Sequence, residues 1–136
     1  MSDISLKSLL VPSKSVEAEY PGMPGFTVNV AFLSRETLLN IRKKSTKQTF
    51  KNRQPTEEFN EDLFLQLYVE NAVKGWDGLK LKYLEQLAPV DLTGQDPEAT
   101  LAYSAENALY LMKNSTNFDS FISDLVSDLG NFSKSS

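Results

Sequence analysis

The chain has 136 residues, of which 40% are hydrophobic and 24% are charged, and its net charge is −4. This length suits one domain with a buried core, and the composition is ordinary for a globular protein. The sequence contains neither cysteine nor histidine; this excludes disulfides, Cys/His zinc sites and His-dependent catalysis, so we expect no enzyme, no metal site and no cofactor.

Residues 1–15 are polar around a small apolar group at positions 6–11, and Pro12 ends any helix there. They lack the basic start and long apolar centre of a signal peptide, and no apolar run approaches the ~20 residues that span a bilayer. We therefore predict a flexible N-terminal arm or docking segment, followed by a single, mainly helical domain over residues 16–136, in a cytoplasm.

Two strands are predicted at residues 16–20 and 26–32, because apolar and polar side chains alternate along the second of them. The intervening Pro-Gly-Met-Pro-Gly run at residues 21–25 is a strong turn signal. The pattern predicts an antiparallel hairpin over residues 16–33. Such a hairpin is marginal alone, so it must pack on helices or on another subunit.

A helix is predicted from Ser34 to about Ser45, with Ser34 as the N-cap and Glu36 in the first turn. The spacing of Leu33 and Leu38 is that of a hydrophobic staple. The polar, basic residues 46–55 that follow are predicted to be the most mobile internal loop.

Basic residues are concentrated in residues 35–53, which carry seven of them against one acid, Glu36. They are Arg35, Arg42, Lys43, Lys44, Lys47, Lys51 and Arg53. A solvated face is the plain interpretation. A dock for an acidic surface, such as the acidic C-terminal half of a neighbouring copy, is the alternative, with Arg42, Lys43 and Lys44 as candidate residues. Nucleic acid is the third option, although Phe50 is the one aromatic in this range, so a single-strand stacking platform is not expected.

A central helix is predicted to begin at Thr56 or Asn60 and to end at Gly75 and Gly78. Apolar residues lie almost all round it up to Trp76, so we expect it to be buried.

Acidic residues crowd the predicted opening turns of this helix. They are Glu57, Glu58, Glu61 and Asp62. These acids could form a magnesium site or a catalytic carboxylate cluster. The favoured interpretation is that their negative charge compensates the positive end of the helix dipole. The acids in the loop at residues 89–98 lack EF-hand spacing, and no phosphate-binding glycine motif occurs.

In the C-terminal third, a short helix is predicted at residues 79–87, a loop at 89–98 and a second helix from Ser104 to about Lys113. Asp96-Pro97 is an alternative, earlier start of this second helix. A last amphipathic helix is predicted from an Asn117 N-cap to residue 132. Its apolar stripe is Phe118, Phe121, Ile122, Leu125, Leu129 and Phe132. The predicted fold class is therefore α+β and mostly α-helical, with four to five helices and a small N-terminal antiparallel β-hairpin.

Aromatic and aliphatic groups are the candidate partner-binding residues, together with the three cations named above. Trp76, in the run Trp-Asp-Gly-Leu, is a core anchor or a partner-binding hot spot. Phe118 and Phe121 are expected to pack inward, whereas Phe132 lies where it is free to meet a partner. The candidate set is Trp76, Phe118, Phe121, Leu125, Phe132, Arg42, Lys43 and Lys44.

The chain resembles the tail assembly chaperones of long-tailed bacteriophages. The resemblance rests on size, the β-like N-terminal segment, Val-Lys-Gly-Trp-Asp-Gly-Leu at residues 73–79 and Tyr-Ser-Ala-Glu-Asn-Ala-Leu at residues 103–109. The aliphatic pair Leu111-Met112 and the final Asn131-Phe132 also fit. The stretch 79–101 and the basic residues 35–53 depart from the family.

The resemblance implies a non-enzymatic protein of the host cytoplasm that binds the tape measure protein, keeps it soluble during tail tube polymerisation and is absent from the virion. It also implies a frameshifted longer form, joined near residues 131–136, that recruits tail tube protein. The separation of the basic residues 35–53 from the acidic C-terminal half of the chain favours weak head-to-tail homo-oligomers. Two alternatives stay open: a structural minor tail or head–tail connector protein, and a small nucleic-acid-binding or regulatory protein that uses residues 35–53.

Overall fold

The computed structural model describes residues 4–10 and 14–127, which form an α+β arrangement with six helices and five strands. The helices are α1 (Leu6–Leu9), α2 (Arg35–Lys44), α3 (Glu61–Ala72), α4 (Leu81–Leu87), α5 (Ala105–Asn114) and α6 (Thr116–Ser127). The strands are β1 (Ser15–Glu19), β2 (Thr27–Ala31), β3 (Thr46–Lys51), β4 (Gln54–Phe59) and β5 (Val73–Asp77). The predicted fold class is confirmed.

A three-stranded antiparallel sheet in the order β1-β2-β5 forms the centre of the described structure. Its β1–β2 part is the predicted N-terminal hairpin, in which Val16 lies opposite Val30. The inward-facing Val28 and Val30 of β2 are fully buried, because alternation along a strand sends every second side chain to the core face. The hairpin prediction is confirmed.

Strand β5 was not predicted from the sequence. The central helix was expected to continue to Trp76, but α3 ends at Ala72 and residues 73–77 pair with β2. Val73 is β-branched and Gly75 is a poor helix former, and the open edge of β2 offers backbone hydrogen bonds that a further helical turn does not. The helix is also less buried than predicted.

The helix α3 begins at Asn60, whose side chain accepts a hydrogen bond from the Leu63 N–H at 3.0 Å. Of the α3 side chains, all of which the structure describes, only Val69 and Ala72 are buried. The other apolar residues of α3 are half-buried, because α2 and α5 cover it on two sides and leave a further side facing solvent.

The prediction of a mobile loop at residues 46–55 is wrong, because these residues form most of a second hairpin, β3–β4. Asn52 and Arg53 make its turn with positive φ angles of 53° and 67°, as a two-residue hairpin turn of type I′ requires. The hydroxyls of Thr49 and Thr56 meet across the strands at 3.0 Å. The turn lacks glycine, and Pro55 argues against a strand, so the usual sequence signals were missing.

The N-cap of α6 is Ser115 and not the predicted Asn117. The Ser115 hydroxyl accepts a hydrogen bond from the Phe118 N–H at 3.1 Å, and its carbonyl accepts one from the Asp119 N–H at 3.0 Å. Ser115 is also the C-cap of α5, so one buried serine separates the two helices. The helices α2, α4 and α5 and the loop at 89–98 agree with the prediction.

The N-terminal arm contains the single-turn helix α1, and all its described side chains are exposed. Whether the arm is flexible stays a prediction, and Pro12, Leu129 and Phe132 lie outside the described residues. The proposed frameshift junction at residues 131–136 lies outside them as well.

The turn of the first hairpin touches the end of β5 through two glycines. Gly78 has a φ of +73°, and a Cβ added there would collide with the Gly25 carbonyl oxygen. This contact holds the turn at residues 21–25 against the start of the following chain, so a side chain at position 78 would force the two segments apart.

We expect Gly78→Ala to destabilise the fold much more than Gly94→Ala. Gly94 has a φ of +80° and open space around it, so its substitution costs only backbone strain of roughly 1–2 kcal/mol. Gly78→Ala adds a backbone clash of roughly 1–3 kcal/mol. Urea denaturation of both variants measures the difference, and equal losses would contradict the close approach.

Candidate partner-binding surfaces

Trp76 is held in place by three contacts that belong to the core. Its indole N–H donates a hydrogen bond to the Leu101 carbonyl at 2.9 Å. Its ring meets Tyr103 edge to face at 5.2 Å between centroids, and Phe118 in the same manner at 6.2 Å. The side chain is half-buried. These contacts favour the core-anchor interpretation over the hot-spot interpretation, because the polar and apolar parts of the indole are both occupied.

The apolar stripe of α6 packs inward along its described length. Phe118 and Ile122 are fully buried, and Phe121 lies 4.6 Å from Tyr20 between ring centroids. Phe118 is therefore not accessible to a partner in this fold, whereas Phe121 and Leu125 are half-buried and keep partial access. Phe132 lies outside the described residues.

An apolar groove opens between α4, the loop after it and α5. Its volume is about 330 Å³, at the lower end of the range for ligand sites. Two of its lining residues, Val90 and Tyr110, remain 41% and 57% exposed. Its lining consists of Leu84, Ala88, Pro89, Val90, Leu101, Asn107, Tyr110, Leu111 and Asn114.

Sequence reasoning missed this groove, although one signal was available. Residues 109–112 are four consecutive apolar residues within a helix. A helix that packs on one face turns at least one member of such a run toward solvent. In α5 that member is Tyr110, while Leu111 and Met112 are buried.

The basic residues 35–53 divide between two elements. Arg42, Lys43 and Lys44 are exposed in the last turn of α2, where the helix dipole favours cations. The Arg42 guanidinium lies 4.8 Å from the centroid of the Phe59 ring. Lys47 on β3 lies opposite Glu58 on β4. The structure thus separates the α2 cations from those at the tip of the second hairpin, Lys51 and Arg53.

The acidic group predicted at the start of the central helix is also divided. Glu61 and Asp62 lie in the first turn of α3, but Glu57 and Glu58 are on β4. Among the residues that the structure describes, no group of three or more Asp or Glu side chains is placed to hold a metal ion. None of the helices in the described ranges is both long and apolar enough to cross a membrane.

The loop at residues 89–98 is fastened by two ion pairs. Glu98 contacts Lys82 Nζ at 2.7 Å and Lys80 Nζ at 2.9 Å. Hydrogen bonds from Lys82 and Lys80 lower the pKa of the Glu98 carboxyl from 4.5 to about 2. The pairs are exposed, so water and salt screen them. They hold the loop that carries Val90 beside the groove.

The Glu98 ion pairs predict a pH dependence of stability. Because the folded-state pKa is lowered to about 2, the contribution is present above the unfolded pKa of about 4.5 and is lost as pH falls through about 2. We expect Glu98→Gln to lower the melting temperature near pH 6 and to have a much smaller effect near pH 2. Glu85→Gln, on exposed α4 surface, is the control; a Glu98→Gln difference that is independent of pH would contradict the assignment.

Comparison with known proteins gives a match to a protein family. The chain matches the family described as YdaY prophage protein over residues 27–136. No curated protein and no solved structure matches it. The matched range runs from the start of β2 through every later element. With more than half of its length matched, the chain belongs to the YdaY prophage protein family.

Proposed function

We propose that the chain is a phage tail assembly chaperone that binds the tape measure protein and keeps it soluble while tail tube subunits polymerise around it. It acts in the host cytoplasm without catalysis and is left out of the mature virion. Membership of a prophage family supports a phage role, and the resemblance of residues 73–79 and 103–109 to tail assembly chaperones supports this particular one.

The observation that carries the proposal is the apolar groove beside α5. One wall of it consists of Asn107, Tyr110, Leu111 and Asn114. Their spacing is i, i+3, i+4, i+7, so they line one face of α5 over about 10 Å, or two helical turns. Amphipathic helices dock in grooves of this kind through their apolar face. A long helical client offers such a face repeatedly.

The modest size of the groove suits a chaperone better than a permanent structural subunit. A contact over about two turns is weak, so each copy binds reversibly and many copies are needed to cover a long client. Growing tail tube subunits are then able to displace the copies one after another. A subunit retained in the virion would instead need an interface of roughly 1,200 Å² or more, whereas this groove presents one face of α5 over two helical turns.

We expect the tape measure protein, the phage's longest predicted coiled-coil protein, to be insoluble alone and to become soluble and co-elute with this chain on size-exclusion chromatography. Val90→Arg should abolish that effect, because it places an unpaired charge in an apolar contact and weakens binding by roughly tenfold or more. Leu39→Arg is the matched control: Leu39 is 55% exposed on α2, and Val90 is 41% exposed at the groove.

Unchanged solubility of the tape measure protein, or equal effects of Val90→Arg and Leu39→Arg, would overturn the chaperone proposal. Mass spectrometry of purified virions separates the alternatives, because a minor tail or connector protein is retained there. The longer form that recruits tail tube protein is tested in the gene, where a slippery heptamer and an open overlapping frame are expected around codons 125–136.

A further inference from the structure

We propose that the tip of the β3–β4 hairpin docks onto a second copy of this chain, in an acidic depression between α3 and α5. The contact forms between copies of the chain and needs no client. Four residues carry the argument on each side: Phe50, Lys51, Arg53 and Pro55 on the hairpin, and Glu70, Glu106, Leu109 and Tyr110 in the depression.

Beyond its base, where the Phe59 ring lies 5.5 Å from the Phe64 ring of α3, the hairpin lacks the packing that usually stabilises a two-stranded sheet. Nearly all its side chains are exposed, and Thr46, Thr49 and Thr56 are the half-buried ones. A two-stranded hairpin is marginal in water unless further strands or a helix cover it. Phe50 is 73% exposed near the tip, so most of its ring is left uncovered by the chain's own fold. A hairpin with these properties is stabilised when its tip is buried against a partner.

The tip combines an apolar face with positive charge. Phe50 lies opposite Pro55 and shares a face of the hairpin with it, whereas Lys51 lies on the other face and Arg53 in the turn. Farther from the tip, Lys47 faces Glu58 across the strands, so the net positive charge is concentrated at the turn. The tip therefore fits a partner surface that offers an apolar site beside carboxylates.

The depression between α3 and α5 has that character. Its volume is about 300 Å³. Glu70 and Glu106 are exposed, Leu109 is half-buried, and Tyr110 is 57% exposed. Lys113 also lines it, but its ammonium lies 3.7 Å from the Asp62 carboxylate. Two carboxylates beside an aromatic and an aliphatic side chain complement a hairpin tip that carries two cations and Phe50.

Side-chain docking is favoured over addition of a strand to the hairpin edge. The outer edges of the hairpin carry Lys47, Lys51 and Pro55, and lysine and proline on edge strands oppose strand pairing. The tip and the depression are different surfaces of one chain, so the contact is heterologous. Such contacts repeat into rings or spirals.

The decisive experiment is charge reversal followed by mixing. The tip variant is Lys51→Glu with Arg53→Glu, and the depression variant is Glu70→Lys with Glu106→Lys. By sedimentation velocity in low salt, we expect the wild type to self-associate, each variant alone to be monomeric, and an equimolar mixture to associate again. The mixture restores opposite charges in both directions, which no misfolded variant would do. Added salt should dissociate the wild-type and mixed species.

A matched control carries the same charge change elsewhere. Lys43→Glu with Lys44→Glu alters the exposed end of α2, where the sequence alone placed the electrostatic dock. We expect this variant to self-associate like the wild type. A monomeric wild type, a monomeric mixture, or loss of association in the α2 variant would each overturn the proposal. Because no client is present, the outcome is independent of the chaperone experiment.

Discussion

The pairing of β5 with β2 is the constraint on which most of the structure depends. It brings the chain back to the sheet after α3 and places Trp76 opposite Val28. From there the indole reaches both Tyr103 and Phe118, so the segment before α5 and the start of α6 pack around one ring. The Tyr103 hydroxyl donates a hydrogen bond to the Val73 carbonyl at 2.8 Å. This bond holds the first residue of β5 in place.

This arrangement gives α5 two different faces. Its inner face contributes Ala108, Leu111 and Met112 to the core. Its outer face presents Tyr110, which lines both the apolar groove and the acidic depression. The proposed client site and the proposed self-association site therefore share a side chain.

The fold places the basic and acidic side chains on separate surfaces. The cations of α2 lie at the end of a helix, where they balance its dipole and where Arg42 covers Phe59. Those of the hairpin tip, Lys51 and Arg53, lie away from any helix end. Acidic residues on α3 and α5 meet at one depression although they are far apart in the chain. A chain of net charge −4 thus carries one compact positive tip and a separate acidic surface of complementary chemistry.

The sequence by itself determined the elements whose signals are local. The first hairpin follows from alternation and its Pro-Gly turn, and α2, α5 and α6 follow from caps and apolar stripes, even though the cap of α6 is Ser115. The tertiary structure decided β5, because a strand of Val-Lys-Gly-Trp-Asp forms only where β2 offers an unpaired edge. It also decided the second hairpin, whose turn lacks glycine, and the groove, which exists only where α4 and α5 meet. Periodicity reports one helix or strand at a time, whereas edges and grooves depend on contacts between residues that are distant along the chain.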